Sequence, residues 1–168
     1  MDAGNAAASG QTVKSPPAPF GAGGGKHLTF SLGRESYGVD IRMIREIIGI
    51  MDITPLPDSD ASVRGVINLR GKIIPVVDLR VRFGLPQAPF TERTCIVVVD
   101  LEKEDGGRSL VGAIVDAVSE VSNIAAADVE PPPEMGMGSE AGVIKGMAKL
   151  KERVVILLDI GKILGKFN

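Results

Sequence analysis

The 168-residue chain has no tryptophan, one tyrosine, one cysteine and one histidine, and each scarcity removes a class of function. With Cys95 alone, no disulfide can form within the chain, and its place in the apolar run Thr94 to Leu101 fits a buried free thiol. With His27 alone, His-pair metal sites are excluded, and any Cys/His or Ser/His arrangement has a single candidate. Five Phe and one Tyr offer few stacking platforms for bases, which counts against a nucleic-acid-binding barrel. Charge is nearly balanced, 19 Lys and Arg against 21 Asp and Glu, so no overall field draws the chain to nucleic acid or an anionic membrane. The longest apolar stretches, Ile73 to Val77 and Val154 to Leu158, fall far short of the roughly 20 residues that span a bilayer. Met1 to Gly10 lacks the basic start and apolar stretch of a secretory signal, which with the unpaired cysteine points to the cytoplasm.

What is present reads as a mainly β body behind a tail. Residues 1 to 26 are mostly Ala, Gly, Ser and Pro and cannot offset their ordering entropy by burial. From His27 onward, strand-length apolar runs alternate with Gly, Pro and Asp: Leu28 to Leu32, Val63 to Leu69, Ile73 to Leu79, Thr94 to Leu101, Leu110 to Val118 and Val154 to Ile160. The spacing of Ile41, Ile44, Ile47 and Ile48 predicts a short helix ending near Gly49, and Ile160, Ile163 and Leu164 predict another ending near Gly165. Pro75 removes a ladder donor, so its strand must be at an edge, or bulged, at that point.

The body also repeats. Tyr37-Gly38-Val39-Asp40-Ile41 and Glu46 align with Val111-Gly112-Ala113-Ile114-Val115 and Glu120 at an offset of 74 residues. Pro57 meets Pro131 at the same offset, then Gly65-Val66-Ile67 aligns with Gly142-Val143-Ile144, and Asp78 with Asp159. Each half carries the parts of a small five-stranded barrel, a first at about 28 to 86 and a second at about 94 to 165. Two units this small would each be marginal alone, which predicts a shared core with a groove between them.

Chemical motifs are weak. Gly136-Met137-Gly138-Ser139-Glu140-Ala141 matches a dinucleotide-binding pattern but follows three prolines rather than a strand. Gly25-Lys26 lacks the rest of a phosphate-binding loop, and Asp58-Ser59-Asp60 lacks the glycine and glutamate of a calcium loop. Glu102, Glu104 and Asp105 sit in a polar hairpin loop with no apolar wall to shift a pKa. No catalytic residue, metal or cofactor is expected.

One constellation remains, Arg64 to Arg80, in which two apolar strands flank a reversal at Arg70-Gly71. A glycine there supplies positive φ and lets Arg70 project a guanidinium from a rigid base. From spacing alone, a solubilising loop cation remains the commoner outcome, with a partner contact as the alternative.

The run Asn68-Leu69-Arg70-Gly71, then Ile74-Pro75-Val76-Val77-Asp78-Leu79-Arg80 and Phe83, resembles the signature of the CheW-like chemotaxis family. Tyr37-Gly38-Val39-Asp40-Ile41 with Arg45-Glu46-Ile47 before it, and Val115 to Val121, Pro131 to Pro133 and Val155 to Ile160 after it, continue the resemblance in order. It covers about His27 to the end, taken as one CheW-like domain (27–168).

The resemblance implies two intertwined five-stranded SH3-like barrels with short helices, and no active site. It implies a chemotaxis adaptor coupling methyl-accepting chemoreceptors, at their cytoplasmic tips, to the regulatory domain of a CheA-type histidine kinase within membrane-associated arrays. An adaptor of another chemosensory pathway, such as twitching motility, is the alternative. The partner-binding residues it implies are Arg70 first, with Asn68 and Gly71 of its turn, Ile44 and Glu46 in the segment after the first two strands, and Val118 in the second half. The bare reading of Ile44 as core and of Glu46 as a solvated acid stays open beside it.

Overall fold

The computed structural model describes residues 24–132 and 142–167. Residues 1–23 of the Gly/Pro-rich segment and the whole Gly136-to-Ala141 pattern lie outside the described residues, while Gly25 and Lys26 already belong to the first strand.

Eleven strands are described. The first half contributes β1 (Gly25–Leu32), β2 (Glu35–Asp40), β3 (Ile44–Gly49), β4 (Val63–Leu69) and β5 (Lys72–Asp78), followed by the single turn α1 (Leu79–Arg82). The second contributes β6 (Cys95–Glu102), β7 (Arg108–Val115), β8 (Ala117–Ile124), the two-residue β9 (Val129–Glu130), β10 (Ile144–Leu150) and β11 (Arg153–Leu158), followed by α2 (Ile160–Leu164).

The halves exchange hairpins. One sheet has the order β3-β6-β7-β5-β4 and the other β8-β1-β2-β11-β10-β9. The hairpin β1–β2 therefore completes the sheet built from the second half, and β6–β7 completes the sheet built from the first, so each of the stretches 28–86 and 94–165 supplies strands to both sheets. Two parallel pairings, β5 with β7 and β11 with β2, join each exchanged hairpin to its host. The sheets are intertwined as expected, one of five strands and one of six, the sixth being β9.

Side-chain alternation explains why the central strands read as unbroken apolar runs. On β6, Val97, Val99 and Leu101 face a core shared by both sheets, while Ile96 and Val98 face a smaller core inside the five-stranded sheet. The shared core gathers Leu28, Phe30 and Leu32 from one sheet and Val77, Val111 and Val115 from the other, with Ile163 and Leu164 of α2. A third, small cluster of Ile124, Ala148, Val155 and Leu157 fills the six-stranded sheet.

Two expectations are corrected in detail. The predicted helix over Ile41 to Ile48 is a 3-10 turn, Ile41–Met43, followed by strand β3. Its isoleucines are β-branched and favour the extended backbone, which outweighs an apolar spacing compatible with both structures. The repeat register past Pro57 also changes: β4 and β10 each carry a bulge, between Val63 and Gly65 and between Ile144 and Gly146, so Gly65 corresponds to Gly146 and not to Gly142. Both glycines admit a neighbouring backbone, since a Cβ on Gly65 would overlap the Thr54 carbonyl and one on Gly146 would lie 2.9 Å from the Glu130 carbonyl oxygen. Pro75 meets its expectation locally: β5 is an internal strand, but at Pro75 one side is open, because the β5–β7 ladder begins at Val76, and the β4 bulge lies opposite the next two residues. Opposite it, Val66 turns its own N–H and C=O away to Thr54, so the missing donor costs no bond on either side.

Asp78 and Asp159 cap α1 and α2, accepting the N–H groups of Arg80 and Lys162. Asp78 is buried and also takes the Arg64 guanidinium at 2.9 Å.

Candidate functional site

The β4–β5 hairpin reverses through two residues, Arg70 and Gly71, between the paired Leu69 and Lys72. Both have left-handed backbones, φ +51 and +90, as a two-residue turn matched to strand twist demands. Gly71 adopts this freely, whereas an arginine there carries a steric cost of order 1 kcal/mol. Asn68 steadies the reversal, its Oδ1 accepting the Gly71 N–H at 2.9 Å.

From this tip the Arg70 guanidinium pairs with the carboxylate of Glu46 on β3. β3 and β4 are the opposite edges of the five-stranded sheet, so the pair clasps a sheet that has curled until its edges face each other. A bulge between Ile44 and Glu46 lies immediately before the acid on its strand. The clasp is an exposed one, with 70% of the Arg70 side chain still open to solvent, and contributes little to stability by itself. Ile47 and Ile73, both exposed, lie one residue beyond Glu46 on β3 and one residue into β5.

The second half repeats this construction. β8 is the edge of the six-stranded sheet and carries a bulge between Val118 and Glu120. Lys151, at the tip of the β10–β11 hairpin, has φ +56 and reaches Glu120 at 3.4 Å, with Arg153 at 3.8 Å from the same oxygen. Lys151, and a hydrogen bond from Ser122, hold the Glu120 carboxyl below its ordinary pKa. Val121 and Val154 are exposed here as Ile47 and Ile73 are in the first half. Beside this edge an open depression of about 380 Å³ is lined by Ser119, Glu120, Lys151, Glu152 and Arg153.

The structure thus gathers Asn68, Arg70, Gly71 and Glu46 at one edge. Ile44 sits at the bulge before Glu46 and is half-buried against the shared core, as is Val118 at the equivalent bulge of the other sheet. Sequence reasoning missed Lys151 and its pairing with Glu120, because the misaligned second half of the repeat paired the wrong glycines. With Gly146 matched to Gly65, Lys151 falls on Arg70.

An open cleft of about 650 Å³ is lined by residues of the segment before β6, including Thr91 and Thr94, and by Ser31, Gly33 and Asp116. Asp116 is tied there to the Gly33 N–H and to Arg80, which crosses the seam from α1. Among the described residues no group of His, Cys, Asp and Glu could hold a metal ion, and no helix is long and apolar enough to cross a membrane.

The family model described as the CheW-like domain matches residues 26–167. The chain belongs to the CheW-like domain family. Its CheW relatives include a chemotaxis protein from Klebsiella aerogenes, 37% identical over 141 residues, 84% of this chain and 82% of that one. Another, from Thermotoga maritima, is 34% identical over 140 residues, 82% and 85% of the two chains. The crystal structure of the scaffolding protein TtCheW from Thermoanaerobacter tengcongensis superposes with a TM-score of 0.71 at 36% identity, covering 81% of this chain and 89% of the other. The CheW-like assignment makes this chain a chemotaxis adaptor, in a family of scaffolds rather than known enzymes.

Proposed function

We propose that this CheW-like chain couples the cytoplasmic tips of methyl-accepting chemoreceptors to the regulatory domain of a CheA-type histidine kinase, in the cytoplasm at membrane-associated arrays. The observation that carries the reading is Arg70, a largely exposed cation held in a left-handed turn against Glu46, with the exposed Ile47 next to Glu46 along β3 and the exposed Ile73 two residues past the turn along β5. A strained, pre-organised charge beside exposed apolar side chains suits a docking surface better than a solubilising loop, which a glycine or asparagine would form at lower cost.

An adaptor must also hold two partners at once. The repeat supplies two related edges, one ending in Arg70 and the other in Lys151, on opposite sheets. This doubling supports a bridging role over single-partner binding. Ile44, Glu46 and Val118 contribute by shaping the two bulged edges.

The test is a calorimetric titration of the protein with its organism's kinase regulatory domain and, separately, with a receptor cytoplasmic fragment. Micromolar or tighter binding to both supports coupling. Binding to neither contradicts it.

A further inference from the structure

The two equivalent hairpins differ in one respect that the shared fold does not require. In the first, Asn68 closes a side-chain bond onto the Gly71 N–H at 2.9 Å. In the second, Lys149 occupies the position of Asn68, and Glu152 that of Gly71, since both hairpins are closed by two-residue loops, between Leu69 and Lys72 and between Leu150 and Arg153. Lysine carries no acceptor. The second hairpin nevertheless forms, and its basic tip residue still adopts a left-handed backbone. The Asn68 bond is therefore dispensable for making such a hairpin, and its presence at the Arg70 tip needs another explanation.

We propose that Asn68 is a positioning residue for Arg70: its carboxamide fixes the Arg70-Gly71 reversal before a partner arrives, so that the guanidinium is presented with little freedom left to lose, and it makes no partner contact of its own. The inference rests on the docking role of Arg70 proposed above. Asn68 is exposed and lies two residues from Arg70, within the same face of the hairpin tip that a partner would meet. Its Oδ1 is instead turned inward to the backbone of the turn. Fixing the loop before binding removes a conformational cost that would otherwise fall on association, which is how a bond remote from the partner gains affinity.

The experiment is a double-mutant cycle in the full chain. Wild type, N68A, R70A and N68A/R70A are titrated with the kinase regulatory domain, and exchange of the Gly71 amide proton is followed by NMR in each. The expected result is a loss of about threefold to tenfold in affinity for N68A. Gly71 exchange accelerates, the unfolding midpoint hardly moves, and N68A/R70A binds no worse than R70A. N68D, which keeps the acceptor, restores both the slow exchange and the affinity of wild type. Additive losses in the double variant would overturn the proposal, because Asn68 would then contact the partner independently. Unchanged Gly71 exchange in N68A would overturn it as well. If R70A binds as wild type does, the docking reading of Arg70 fails instead, and Gly71 exchange still decides whether Asn68 holds the turn.

Discussion

Arg70 and Lys151 occupy the same position at the tips of two related hairpins, each in a left-handed backbone and each paired with the glutamate that follows a bulge on the facing edge strand. The repeat is thus more than a duplicated fold: it duplicates a charged, strained edge.

Charge reversal at the second edge should impair bridging without unfolding the chain. Lys151→Glu faces Glu120 at an exposed site, so stability should fall by no more than about 0.5 kcal/mol. Kinase recovered with receptor-bearing vesicles in a sedimentation assay should drop by roughly tenfold. Full recovery would confine docking to the Arg70 edge.

Gly65 is irreplaceable for a steric reason. Its φ of +141 and the adjoining Thr54 carbonyl leave no room for a Cβ. Gly65→Ala should cost about 2 kcal/mol or more in urea unfolding. Gly71→Ala, with open space around its Cβ, should cost less, on the order of 1 kcal/mol for backbone strain alone.

Asp40 gives the fold part of its acid sensitivity. Burial raises its pKa, but hydrogen bonds and charge from Arg42, with a smaller contribution from His27, outweigh it, and the folded value lies below the ordinary one. A depressed carboxyl contributes stability above its unfolded pKa of about 4 and loses it as pH falls through the lower folded value. Asp40→Asn should therefore cost about 1 kcal/mol at pH 7 and progressively less below pH 4, read from the pH dependence of the urea midpoint. An equal cost at all pH values would contradict this.

Ile73 is 65% exposed and adds little to the core. Ile73→Ser should change the unfolding free energy by less than about 0.5 kcal/mol. It should nevertheless weaken kinase-domain binding by roughly fivefold, since apolar area beside Arg70 would be lost from the contact. Unaltered affinity would place the interface elsewhere.

Much of this was legible in the sequence, and the gaps have physical causes. The runs around Ile73 to Leu79 and Thr94 to Leu101 announced buried strands, because residues that alternate between two cores are apolar on both faces, whereas Val63 to Leu69, at the sheet edge, buries Ile67 and Leu69 and exposes Asn68. The isoleucines from Ile41 to Ile48 misled because one spacing served two periods, and β-branching decided between them. The repeat register slipped because the offset rises from 74 residues at Glu46 and Glu120 to 81 at Gly65 and Gly146, and two glycines before and in β10, Gly142 and Gly146, both offer a match in sequence. Arg70 and Glu46 could each be singled out from sequence through the family resemblance, but their pairing across the curled edges of one sheet could not, since it depends on how far the sheet closes.

The central claim is that Arg70 is a docking residue held ready by its turn. The most direct measurement is calorimetric titration of the CheA-type regulatory domain with wild type and with Arg70→Ala, alongside their urea unfolding curves. A docking Arg70 implies wild-type binding near micromolar or tighter, weakened about thirtyfold in the variant, the equivalent of about 2 kcal/mol. It also implies an unfolding midpoint unchanged or slightly lowered, since alanine keeps the left-handed strain while an exposed ion pair is lost. Equal affinity of a folded Arg70→Ala variant would contradict it.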